Sequence, residues 1–128
     1  LKERLVENPR AYRHAVKELT DYFGGRQVNF TFPFNLIVSG FDRRALLALS
    51  RVKYGSTLSY QELANRAGSA RAARAAGGAC ARNPLPLRIP CHRVLKADGT
   101  IGGWSGLPGL KEKLLKLEKV IFKSKGSR

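Results

Sequence analysis

Acidic side chains are scarce. Nine Asp and Glu stand against 24 Lys and Arg in 128 residues, a formal net charge of +15. A surface so poor in negative charge favours a polyanionic partner, nucleic acid first and an anionic membrane surface second. Cysteine is nearly absent too. Cys80 and Cys91 are the only two, which excludes a disulfide framework, and they lack C-x-x-C spacing. Each can be a small buried hydrophobe in a reducing compartment. With only two histidines beside them, four nitrogen or sulfur ligands at zinc spacing are not available, so no metal and no cofactor is expected. No apolar run approaches the roughly 18 residues of a membrane span. Lys2, Glu3 and Arg4 argue against a signal peptide. No internal repeat is visible. The 43% hydrophobic content is enough for the core of one modest domain, or of one domain and a fragment of another.

The chain divides into short helical patterns. Asn8-Pro9 reads as a helix start, Tyr12, Val16, Leu19 and Phe23 recur at helical spacing, and Gly24-Gly25 ends the run. VNFTFPFNLIV (28–38) is β-branched and aromatic but broken by Pro33, so it predicts an edge strand or an extended linker. Leu46, Leu47, Leu49 and Val52 mark a helix over 41–52. In LSYQELANRAG, Ser59 and Glu62 form an S-x-x-E capping box and Gly68 fits the helix end. Ser69 is placed to cap a second helix over 70–82, stopped by Asn83-Pro84. Two short helices across a tight turn make a helix-turn-helix pattern. LPLRIP is extended, Asp98-Gly99 and Gly102-Gly103 mark turns, and Leu110, Leu114, Leu117 and Ile121 predict an amphipathic C-terminal helix before a frayed basic tail.

Two stretches invite chemistry. The second helix of the pair is nearly all alanine and carries Gly77-Gly78, each costing about 1 kcal/mol relative to alanine. Either it packs tightly on a neighbour, or its outer face must approach something closely. A face of Ala and Gly fits shallowly in a minor groove about 6 Å wide, where bulkier side chains would not. Arg71, Arg74 and Arg82 are placed to meet phosphates, or are simply a solvated face. The second stretch is Pro90-Cys91-His92-Arg93. A cysteine beside a histidine is a nucleophile with its base, a metal ligand pair, or two packed residues. Neighbours on a strand point to opposite faces, so contact between Cys91 and His92 requires a turn or a bridging water. As a base His92 needs an orienting group, and Glu118 is the candidate carboxylate.

IPCHRV, together with SYQELA and RAAGGA upstream, Asn83-Pro84, and GGWSG…KEKLLKLE downstream, resembles the methylated-DNA–protein-cysteine methyltransferases (O6-alkylguanine-DNA alkyltransferases). The match runs in order from about Phe41 to Glu118, and Leu19 to Gly25 is similar to the segment that precedes that domain. The resemblance implies an α+β fold: a mostly helical, winged-helix-like helix-turn-helix alkyltransferase domain over 40–123. Residues 1–39 would be a short, truncated remnant of an N-terminal domain, and 124–128 a tail. It implies that Cys91 accepts an alkyl group from O6-alkylguanine, possibly also O4-alkylthymine, in a single irreversible turnover. His92 would deprotonate it through water, Glu118 would orient His92, Tyr60 would assist the departure of guanine, and Asn83 would tie the recognition helix to the active-site loop. Arg74 would fill the space of the extruded base. Ser59, Arg71, Ala72, Ala75, Gly78 and Arg82 would line the DNA, and Tyr60, Val94, Trp104 and Ser105 the substrate pocket. The partners implied are double-stranded DNA, bound through the minor groove by a monomer, and the alkylated guanine, with no membrane, in the cytoplasm of a prokaryote or the nucleus of a eukaryote. WSGLPG departs from the family's usual loop, where Leu107 and Pro108 would reshape the pocket.

Three other readings compete. An alkyltransferase-like sensor binds damage without transfer but typically lacks the acceptor cysteine, which is present here. A sequence-specific regulator would put long polar side chains on its second helix. A cysteine protease leaves Tyr60 and the Ala/Gly helix unexplained.

Overall fold

Helix α1 (Pro9–Phe23) begins on the proline that needs no N–H partner in a first turn. The computed structural model describes residues 9–101 and 109–123, in two units that part between Ile37 and Val38. In the first, the helix forms where its spacing predicts, but it buries a different stripe. Ala11, Ala15 and Tyr22 are inside, whereas Tyr12, Val16 and Phe23 are 45–56% exposed. The cause is Glu18, on the Ala11–Ala15–Tyr22 face. Its carboxylate accepts from the backbone N–H of Thr31 (2.8 Å) and Phe32 (2.7 Å) and from the Thr31 hydroxyl (2.9 Å), lashing the extended segment to that side. The rings of Tyr22, Phe30 and Phe32 then pack in sequence, tilted and then edge-to-face, with centroids 5.2 and 5.8 Å apart. Residues 28–38 are the extended linker rather than a strand, Pro33 having no N–H for a ladder.

The second unit holds α2 (Gly40–Leu49), β1 (Leu58–Ser59), α3 (Tyr60–Arg66), α4 (Ala73–Ala81), a 3₁₀ turn (Cys91–Arg93), β2 (Val94–Leu95) and α5 (Leu110–Leu117). Helices α2, α3 and α4 pack against one another around Leu46, Leu49, Leu63, Ala76 and Ala79, all fully buried. The two short strands pair in parallel, Leu58 opposite Val94 and Ser59 opposite Leu95. They were not expected from the sequence, since two-residue strands carry no alternation to read. The pairing places the start of α3 beside the chain that leaves the Cys91 turn.

The α3–α4 pair is the helix-turn-helix. Its first cap is complete. Ser59 Oγ accepts from Glu62 N–H at 3.0 Å, and the Glu62 carboxylate accepts from Ser59 N–H at 3.2 Å. Gly68 follows in the left-handed region, at φ 87°. The second helix starts later than predicted. Ser69 does not cap it: its N–H closes onto Ala64 O and its own carbonyl accepts from Ala72 N–H, so 69–72 is a turn and Ala72 leads into α4 without a side-chain cap. The C-terminal helix is shorter than predicted, stopping at Leu117. Lys119 adopts φ 61°, after which Val120 and Phe122 fold back onto Leu95, Ile101 and Leu115 and Lys123 N–H bonds Gly99 O. Ile121, expected on the buried face, is 97% exposed. Gly102-Gly103 lies outside the described residues. No helix among the described residues is long and apolar enough to cross a membrane.

Candidate active site

The Pro90-Cys91-His92 stretch is a turn and not a strand, so Cys91 and His92 are not held on opposite faces of a ladder. Cys91, His92 and Arg93 form one 3₁₀ turn, with Arg93 N–H bonded to Pro90 O and Cys91 N–H to Ile89 O at 2.8 Å. The same Ile89 carbonyl accepts from Asn83 Nδ2 at 2.8 Å, while Asn83 Oδ1 takes Leu85 N–H. Asn83 is thus the brace between the end of α4 and the Cys91 turn. The loop it spans holds Leu87 at φ 76°, a conformation that disfavours any side chain.

Behind the thiol lies a buried ionic cluster. His92 Nε2 meets Glu118 Oε2 at 2.6 Å, with both side chains out of solvent. Arg93 forks onto the same carboxylate, Nε to Oε1 at 2.9 Å and Nη2 to Oε2 at 3.0 Å, and its third nitrogen donates to Val52 O at 2.7 Å. Gly55 N–H adds a bond to Oε1 at 3.0 Å. A carboxylate ringed by these donors is an ionised acceptor, so His92 Nε2 carries the proton and Nδ1 presents its lone pair. Nδ1 has no protein partner among the described residues. Burial pushes the His92 imidazole below its usual value, against the pull of Glu118, so the ring is neutral. That is the protonation state of a base.

Tyr60 opens α3 directly after the Ser59 cap and is half-buried. Burial, with the Cys80 and Cys91 thiols nearby, pushes its phenol up to about 12, so it remains an O–H donor. A Cβ on Gly77 would sit 3.8 Å from the Tyr60 ring, so that glycine lies on the tyrosine's side of α4. Gly78 lies under Arg82, whose guanidinium would stand 3.1 Å from an added Cβ. Arg82 itself is exposed but occupied, forked onto Asp42 of α2 at 2.7 and 2.9 Å. Arg71, Arg74 and Ala75 stand exposed at and just before the start of α4, with Ala72 half-buried. Val94 is fully buried on β2. Trp104 and Ser105, with Leu107 and Pro108, lie outside the described residues.

Two residues of this site escaped the sequence analysis, Arg93 and Lys111. Lys111 is 3% exposed, its Nζ has no hydrogen-bond partner among the described residues, and it stands 5.9 Å from the Tyr60 ring centroid. Burial pulls it below the usual lysine range, opposed by the two thiols. A signal was available. Lys111, Leu114, Leu115 and Glu118 fall at i, i+3, i+4 and i+7, so two charged residues share the buried stripe of α5.

The model of the 6-O-methylguanine DNA methyltransferase DNA-binding domain matches residues 40–120. A methylated-DNA–protein-cysteine methyltransferase of Mycolicibacterium paratuberculosis is 43% identical over 114 residues, 89% of this chain and 69% of that protein. The crystal structure of Mycobacterium tuberculosis OGT in complex with DNA superposes with a TM-score of 0.80 at 40% identity, covering 84% of this chain and 67% of the other. S. pombe Atl1, solved in complex with damaged DNA containing O6-carboxymethylguanine, is more distant, at TM-score 0.60 and 25% identity over 71% of this chain. The chain spans about two thirds of the length of the bacterial relatives it matches. On the family model and on this identity, the chain belongs to the methylated-DNA–protein-cysteine methyltransferase family.

Proposed function

We propose that this protein repairs O6-alkylguanine in double-stranded DNA by moving the alkyl group to its own Cys91, once per molecule. The observation that carries the reading is the buried Cys91–His92 turn backed by Glu118, with a neutral imidazole whose Nδ1 has no protein partner among the described residues. A bridging water would carry the Cys91 proton to Nδ1, leaving a thiolate. The thiolate attacks the alkyl carbon in line, a C–S bond forms, and the C–O bond breaks. Its electron pair goes to the guanine, which takes a proton from the Tyr60 O–H. Tyr60 is restored from the proton held at His92. The thioether does not reverse, so the protein is a stoichiometric reagent.

The modified oxygen lies in a stacked base, and a buried thiol reaches it only when the nucleotide is extruded. That extrusion costs a few kcal/mol. The small outer face of α4 suits a shallow approach to the minor groove, with Arg71 on phosphates and Arg74 entering the stack. A monomer suffices, since every group named lies on one chain.

The test is stoichiometry. A duplex with one O6-methylguanine is titrated with protein, digested, and its guanine measured. One lesion restored per molecule is expected, and binding without restoration would leave only a damage sensor. Arg74→Ala is expected to slow repair of duplex at least tenfold while leaving reaction with free O6-methylguanine base unchanged. An equal loss on both substrates removes Arg74 from the inserted position.

A further inference from the structure

We propose that Arg93 is a positioning residue of the alkyl acceptor: its guanidinium supplies the positive charge that a proton on the His92–Glu118 pair would otherwise supply, and so leaves His92 free to take the proton of Cys91. The inference rests on the transferase reading, and it assigns a role to a buried residue whose hydrogen bonds go to Glu118 and Val52.

The geometry is that of a charge held in place. Both Glu118 oxygens receive an Arg93 nitrogen, at 2.9 and 3.0 Å, and the remaining contact, to Val52 O at 2.7 Å, anchors the guanidinium just beyond α2. Arg93 is 2% exposed and Glu118 3%. A buried pair is tolerated only near neutrality. With Arg93 present, the neutral cluster is guanidinium, carboxylate and uncharged imidazole. Without it, the neutral cluster is carboxylate and imidazole sharing one extra proton, whichever of them carries it. The base would then be occupied at the pH where it has to work.

Burial pushes the His92 imidazole down most, Glu118 pulls it up, and the charges of Arg93 and Lys111 add to the downward push. Cys91 precedes it on the turn, and the Tyr54 hydroxyl donates to Leu117 O, close enough to Glu118 and Arg93 to feel both charges. Lys111 cannot replace Arg93, because its amine bonds no oxygen of Glu118 and lies against the Tyr60 ring.

The experiment compares the wild type, Arg93→Gln and the double variant Arg93→Gln/Glu118→Gln. Two quantities are followed against pH: the single-turnover transfer rate on an O6-methylguanine duplex, and the His92 ring-nitrogen NMR shifts. In Arg93→Gln the acid limb of the rate and the His92 titration are expected to move upward together by about 1–3 pH units, with the wild-type rate approached at high pH. In the double variant the carboxylate is gone and the need for a counter-charge with it, so the His92 titration returns to or below its wild-type position. Removing both partners also perturbs the fold less than removing one. A rate lowered by the same factor at every pH, with His92 titrating as in the wild type, would show a purely structural arginine and overturn the proposal. So would an upward shift that persists in the double variant. Should the wild type transfer nothing while the His92 shifts follow the expected pattern, the charge role stands and the transferase reading fails.

Discussion

Replacing Glu118 with glutamine is expected to destabilise the protein by about 3–5 kcal/mol and to stop alkyl transfer near neutral pH. The carboxylate accepts hydrogen bonds from His92, twice from Arg93, and from Gly55. A carboxamide can accept at only one of its two ends. If its NH₂ takes the Oε1 place, it opposes Arg93 Nε and the Gly55 N–H. If it takes the Oε2 place, it opposes Arg93 Nη2 and drives His92 to the other tautomer, with Nδ1 protonated and unable to receive the cysteine proton. Either way a buried guanidinium loses its counter-charge. Chemical denaturation measures the first effect and single-turnover transfer the second. Acid strains the same cluster in the wild type. Because burial holds the folded His92 below its ordinary value, the unfolded chain takes up a proton first as pH falls through about 6.5. This contribution to stability is therefore whole above that pH and is lost below it, and the denaturation midpoint should fall accordingly.

Tyr60→Phe is expected to slow transfer by roughly 10²–10³-fold, the effect of removing one preorganised donor from a site of developing charge. Affinity for the lesion-bearing duplex and stability should remain close to wild type. The ring, which faces Gly77 and the Lys111 amine, is kept, and only the hydroxyl is lost. Since burial has pushed that hydroxyl up to about 12, the wild-type rate should show no alkaline fall near pH 10, where an ordinary tyrosine ionises. A Tyr60→Phe protein as fast as the wild type would mean that guanine leaves without help from this residue.

What the sequence reveals and what it hides follow from the range of the forces involved. The S-x-x-E box at Ser59, Gly68 at the end of α3 and Asn83-Pro84 beyond α4 are local rules, and each appears where its residues put it. The failures come from tertiary competition. Residues 69–72 turn because the Ser69 N–H finds Ala64 O, and α5 ends early because its last turn gives way to pairing with Gly99 and Thr100. The buried stripe of α1 is chosen by Glu18, whose partners lie 13 and 14 residues away. At the site, the family resemblance gives Cys91, His92 and Glu118, but assigns nothing to Arg93 and Lys111. Only the fold brings Val52 and Glu118 to the one, and Tyr60 to the other. A charged residue in register with a buried stripe, as Lys111 is with Leu114, Leu115 and Glu118, is the pattern that would have exposed it.

In the proposed reaction the alkyl group ends on Cys91. The chain holds a second buried thiol, Cys80 on α4, which competes as an acceptor only on paper: burial, and then the neighbouring Cys91, push Cys80 up to about 12, leaving it inert as a nucleophile. The decisive measurement is the mass of the protein and of its proteolytic peptides after reaction with an O6-methylguanine duplex. A gain of one methyl group is expected, confined to the peptide that contains Cys91 and absent from Cys91→Ser, which should still bind the duplex. A methyl group on Cys80, or tight binding with no gain in mass, would contradict it.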